Sequence, residues 1–96
     1  MGVISPIGNN LSEFWKNLKA GKNGISDISL FDTQNFDVKI AGQSKIKLDD
    51  FFDRKELNKI DRFSAFAILA ADQAIEQSLI VNSKISKGRI GVIIGS

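Results

Sequence analysis

Leu11, Phe14, Trp15 and Leu18 recur at i, i+3, i+4 and i+7, the spacing that gathers apolar side chains on one face of an α-helix. Asn10 stands where an N-cap belongs, and Glu13 follows three residues later as in a capping box. Lys16 and Lys19 suit the negative end of the helix dipole, and Gly21 suits a left-handed stop. Before this helix, Gly2-Val3-Ile4 reads as the tail of a strand, closed by the turn residues Ser5-Pro6-Ile7-Gly8. After it, residues 22–37 scatter the apolar anchors Ile25, Ile28, Leu30, Phe31 and Phe36 among Gly, Ser, Asp, Thr and Asn, which predicts a packed loop. Asp37-Val38-Lys39-Ile40-Ala41 alternates polar and apolar positions as a half-exposed strand does, and Gly42 ends it.

A second connection runs through Lys45 and Lys47 to a long helical stretch, predicted from residues 49–53 to about 78 with a break or bend around Ile60-Asp61. Past Asp61 the apolar residues form two stripes: Phe63, Phe66, Ala67, Ala70 and Ala74, and then Ile68, Ala71, Ile75 and Leu79. Two apolar sides predict a helix packed against a sheet and against a further layer. The chain ends on Arg89-Ile90-Gly91-Val92-Ile93-Ile94-Gly95-Ser96, a strand with Ile90, Val92 and Ile94 on one face and Ile93 on the other. Each such side chain contributes roughly 1.5–3 kcal/mol when fully buried, so leaving one such strand uncovered forfeits an amount comparable with a small domain's net stability. The expectation is an α/β fold with an incomplete sheet, in a single domain truncated at both ends.

Composition narrows the chemistry. The 96 residues are 43% hydrophobic and 25% charged, as in ordinary globular proteins, and the net charge of +2 is too small to argue for a nucleic-acid binder. Cysteine and histidine are both absent, so the chain holds no thiolate nucleophile, no Ser-His-Asp or Cys-His arrangement and no zinc site of the usual kind. No apolar run approaches the roughly 18–20 residues of a membrane span, and a cytoplasmic location is the default expectation. Gly91 and Gly95-Ser96 lack the Gly-Lys-Ser/Thr ending of a phosphate loop, and Asp49-Asp50 ahead of Phe51-Phe52 suits a helix start better than acid/base work. Phe14 with Trp15, and Phe63 with Phe66, lie on amphipathic stripes and are assigned to core packing.

Several runs occur here in one order: Gly2-Val3-Ile4-Ser5-Pro6-Ile7-Gly8-Asn9-Asn10, Phe14-Trp15-Lys16-Asn17-Leu18-Lys19-Ala20-Gly21-Lys22-Asn23-Gly24-Ile25, Phe31-Asp32 with Lys39-Ile40-Ala41-Gly42, Asp61-Arg62-Phe63, and the terminal Arg89-to-Ser96 run. Together they resemble the amino-terminal part of the β-ketoacyl-[acyl carrier protein] synthases, in particular the bacterial type II enzymes of fatty-acid elongation. The resemblance implies a partial thiolase-like fold, layered α/β/α/β/α in a complete homodimeric protein, and decarboxylative Claisen condensation with malonyl-acyl carrier protein. It implies a nucleophilic cysteine, two histidines and a lysine as the catalytic set, none of which it assigns to this chain, and it implies neither a cofactor nor a metal. One functional element carries over. A basic segment ahead of the long helix docks the acidic acyl carrier protein, and the match places these contacts at Lys55 and Lys59, with Asn58 where some members have a third basic residue. On an unbroken helix Lys55, Lys59 and Arg62 fall at i, i+4 and i+7, on one face.

Two other readings compete with a condensing enzyme: a catalytically silent relative, and a non-enzymatic module that holds a carrier protein through its basic stripe. The last of these requires residues 1–96 to fold alone with a closed core. The amphipathic pattern predicts otherwise: the isolated chain binds a dye specific for exposed apolar surface and lacks sharp near-UV dichroism. A cooperative melt without dye binding would overturn that expectation.

Overall fold

The computed structural model describes residues 1–95 and contains helices and a small two-stranded sheet. The chain divides into two compact units, one formed by Ile4–Ile46 and the other by Met1–Val3 with residues from Lys47 onward.

In the first unit, Ser5 and Gly8 exchange backbone hydrogen bonds of 2.9 and 3.3 Å around Pro6 and Ile7, closing the turn expected there. Helix α1 spans Leu11–Lys19. The Asn10 Oδ1 accepts from the Glu13 amide at 2.9 Å, while the Glu13 carboxylate accepts from the Asn9 amide at 2.9 Å, one residue earlier than in a standard capping box. At the other end Gly21 adopts φ 65°, and the amides of Gly21 and Lys22 donate to the carbonyls of Leu18 and Asn17, a complete Schellman stop. The Asn17 side chain donates to the Ile7 carbonyl at 2.5 Å, tying the helix to the preceding turn. Gly8 is needed at the helix start, since a Cβ there would meet the Phe14 amide nitrogen at 2.4 Å.

The sheet pairs β1 (Ile25–Asp27) with β2 (Ile40–Gly42), antiparallel, with Ser26 opposite Ala41. The expected strand at residues 37–41 is therefore displaced to Ile40–Gly42, and the expected loop at 22–37 contains a strand. Only three residues on each side find a ladder partner, too few to show alternation in the sequence. Gln43 continues the pairing with its side chain, donating to the Asp27 carbonyl at 3.0 Å and accepting from the amides of Ser29 and Leu30. Phe31 and Phe36 meet edge to face, 5.8 Å apart, yet both remain exposed. The core assignment of Trp15 also fails within the described residues: it is 55% exposed, with the Lys19 ammonium 5.5 Å above its ring.

In the second unit a short 3-10 helix, Leu48–Asp50, leads to α2 (Arg54–Leu57) and then to α3 (Arg62–Ser78), with the expected break between them. The best-buried residues of α3, Ala65 and Leu69, lie between the two apolar stripes rather than on either, and Phe63 and Ile68 on those stripes are exposed. Met1–Val3 runs antiparallel along the C-terminal half of α3. The Val3 amide donates to Gln73 Oε1 at 3.0 Å, the Met1 amino group donates to Gln77 Oε1, and a Cβ on Gly2 would collide with the Ala70 carbonyl. The strand expected at residues 2–4 is thus not formed: the Gln73 side chain, not a neighbouring strand, takes the Val3 amide.

The terminal strand is not formed either. Within the described residues 89–95, a 3-10 turn at Lys87–Arg89 is followed by chain with no ladder partner, and Ser96 lies outside the described residues. The alternation survives nonetheless. Val92 and Ile94 turn toward α3, while Ile93 is 97% exposed.

Helix α3 stops on Leu79, whose φ of 54° puts a branched side chain in the left-handed region. In the complete protein, Leu79→Gly is expected to relieve that strain and raise stability by about 1 kcal/mol net of glycine's extra unfolded-state entropy. Conversely, Asn10→Ala removes the α1 cap and is expected to cost about 1 kcal/mol. Chemical denaturation of the two variants checks both signs.

Candidate functional site

The segment 53–62 is built by its caps. The Asp53 carboxylate accepts from the Glu56 amide at 2.8 Å, and the Glu56 carboxylate accepts from the Asp53 amide at 2.9 Å. This reciprocal box starts α2 and occupies both acids with backbone donors. Asn58 is the C-cap, its amide bonded to the Arg54 carbonyl at 3.2 Å, and the Lys59 amide closes on the Glu56 carbonyl at 2.9 Å. The chain then leaves helical geometry through Ile60 and re-enters it after Asp61, whose φ of −73° and ψ of 155° are those of an N-cap.

Lys55 therefore lies on α2, Lys59 just past its end, and Arg62 on the first turn of α3. The single-helix stripe at i, i+4 and i+7 requires an unbroken helix, and that condition is not met. Arg62 is engaged elsewhere, its guanidinium 5.0 Å above the Phe66 ring. Lys55 and Lys59 are both exposed, beside Arg54.

A groove of about 360 Å³ lies between α3 and the last residues of the described chain, lined by Ser64, Ala67, Ile68, Ala71, Asp72, Val92 and Ile94. The alanines keep the helix surface low enough for Val92 and Ile94 to approach. Its polar residues do not form a catalytic pair, because eight residues of helix separate Ser64 from Asp72 by about 12 Å. Sequence reasoning missed this groove, although the two-sided apolar pattern of α3 and the alternation of residues 90–94 together were its signal. Among the described residues no cluster of acidic side chains is placed to hold a metal ion, and no helix is long and apolar enough to cross a membrane. Asp49 and Asp50 sit in the first turn of their 3-10 helix and face water.

Comparison with known proteins identifies the framework to which these elements belong. The whole of residues 1–96 matches the family model of the β-ketoacyl synthase N-terminal domain. A 3-oxoacyl-[acyl-carrier-protein] synthase 2 of Synechocystis sp. is 39% identical over 97 residues, covering 100% of this chain and 23% of the relative. A protein of the same name from Staphylococcus aureus is 40% identical over 97 residues, covering 100% of this chain and 24% of the relative. The chain thus spans about a quarter of the length of these relatives. With all of residues 1–96 matched by that family model, the chain belongs to the β-ketoacyl synthase family, in its N-terminal domain.

Proposed function

We propose that residues 1–96 are part of a 3-oxoacyl-[acyl carrier protein] synthase that elongates acyl chains in fatty-acid biosynthesis. The observation that carries this reading is the full-length match of the chain to relatives bearing that name at 39–40% identity. The reaction is a decarboxylative Claisen condensation. An acyl group held as a thioester on an enzyme cysteine is attacked by the carbanion that malonyl-carrier protein yields as it loses carbon dioxide; a carbon–carbon bond forms and the cysteine thiolate leaves. A thiolate nucleophile and hydrogen-bond donors to the developing enolate are what this chemistry requires. Residues 1–96 contain neither cysteine nor histidine, so in this reading the catalytic residues belong to other parts of the protein.

The role of this chain is then structural and recognitional. Its α/β elements contribute to one half of a thiolase-like, layered α/β/α/β/α fold in a cytoplasmic homodimer. Lys55 and Lys59 contact the acidic acyl carrier protein. The capping box supports that assignment: Asp53 and Glu56 are held by backbone amides, leaving Arg54, Lys55 and Lys59 as the charges free of cap duty.

The test uses the protein with its downstream sequence restored, incubated with acyl-carrier protein and malonyl-carrier protein. The expected result is release of carbon dioxide with a 3-oxoacyl product two carbons longer; a protein that binds carrier protein but yields no product is instead a silent relative. In the active enzyme, Lys55→Glu with Lys59→Glu is expected to raise KM for the carrier-bound substrate about tenfold at low salt, with kcat and the thermal midpoint unchanged. An unchanged KM removes these two lysines from the docking surface.

A further inference from the structure

Asn23-Gly24 is the one place in the sequence where glycine follows asparagine, so the backbone nitrogen next to that side chain carries no Cβ to shield it. The structure shows why the glycine is there. A Cβ on Gly24 would meet Ile7 Cγ2 at 2.8 Å and Pro6 Cβ at 2.9 Å. The proline ring cannot rotate aside, and its turn is held by the Ser5–Gly8 backbone bonds and by the Asn17 side chain on the Ile7 carbonyl. The asparagine is held as well. Its Oδ1 accepts from the Ile25 amide at 2.9 Å, an Asx turn that folds the carboxamide back over the Gly24 peptide and draws electron density from Cγ. The adjoining nucleophile is uncommitted. Phe36 after Asn35, Lys59 after Asn58 and Ser83 after Asn82 give their amides to the carbonyls of Thr33, Glu56 and Ile80, whereas among the described residues the Gly24 amide meets no acceptor.

We propose that Asn23 is a site of spontaneous deamidation, which places aspartate and isoaspartate at the entry to β1. The Gly24 amide loses its proton to hydroxide, and its nitrogen attacks Asn23 Cγ. A carbon–nitrogen bond forms, and the side-chain nitrogen leaves as ammonia, taking a proton from water, to give a cyclic imide. Water then opens the ring. Addition at Cγ restores the normal backbone with an aspartate side chain, whereas addition at the Asn23 main-chain carbonyl leaves the backbone running through Cβ and Cγ, as isoaspartate. No electrons are gained or lost, and water is the co-reactant. Both products put a negative charge beside Lys22. Their structural effects differ. Aspartate keeps an oxygen for the Ile25 amide, so β1 retains its register. Isoaspartate inserts a further carbon into the backbone immediately before Gly24, where Pro6 and Ile7 leave no space, and so loosens the pairing of Ile25 with Gly42.

The experiment incubates the complete protein at mildly alkaline pH and maps its peptides by mass spectrometry against time, with isoaspartate read by enzymatic methylation of its carboxylate. A free peptide of residues 20–27 is the unstructured reference. Asn23 is expected to convert ahead of every other asparagine of residues 1–96, at a rate that rises with pH because the amide anion is the nucleophile. The Asn23→Ser variant keeps a hydroxyl acceptor for the Ile25 amide but has no carboxamide; it is expected to fold and to lose the product entirely. Conversion of the peptide while Asn23 stays intact in the protein overturns the proposal, because the fold then protects the site. Conversion that begins at another asparagine of residues 1–96, or isoaspartate that persists in Asn23→Ser, overturns it equally. The separated isoaspartyl form is expected to melt below the unmodified protein, and Asn23→Asp to melt with it. Equal midpoints for all three overturn the assigned effect on β1.

Discussion

Backbone amides at helix starts and segment ends have no ladder or intrahelical acceptor, and in this chain side-chain oxygens repeatedly supply one. Asn10 and Glu13 cap α1, Gln43 extends a three-residue sheet, Asp53 and Glu56 close on each other's amides, and Gln73 and Gln77 hold Met1–Val3. Each of these is a one- or two-bond device. They order short segments without the long cooperative ladders that central strands provide. The consequence is a structure whose local geometry is well defined while much apolar surface stays open.

That surface follows the amphipathic patterns rather than contradicting them. Val92 and Ile94 turn toward Ala67, Ile68 and Ala71 and leave Ile93 in water, as a strand with two distinct faces requires. Along α1, Trp15 and Leu18 form a half-covered stripe beside a well-capped backbone. A helix or strand that carries apolar residues on more than one side is one that can be packed on more than one side.

The electrostatics divide along the same line. Around α2, acids and bases are interleaved in sequence, but the capping box assigns the acids to the backbone and leaves the lysines at the surface. Residues 79–89 carry Lys84, Lys87 and Arg89 and no acid, beside exposed apolar residues. Charge counted over the whole chain conceals both features, since the total of +2 is a small difference of larger numbers distributed unevenly. What a surface offers a partner depends on that local distribution, because screening confines each group's influence to about its own patch.

The elements that could be read from the sequence alone are those whose interactions close within a few residues. The Asn10 cap, the Gly21 stop, the turn around Pro6 and the break before Asp61 all depend on contacts no more than about five residues apart, so the local residue pattern determined them. The family was readable too, because several short runs in register specify it jointly. By contrast, the strands expected at residues 2–4 and 89–96 were decided by tertiary structure, as were the displacement of β2, the appearance of β1, and the burial of Ala65 and Leu69 between the stripes of α3. Lys59 belongs with these cases: its spacing from Lys55 described one helix face, and the break at Ile60 dissolved it. The reason is the same throughout. A helix satisfies its own hydrogen bonds, whereas a strand or a buried face exists only when a distant segment arrives to pair with it.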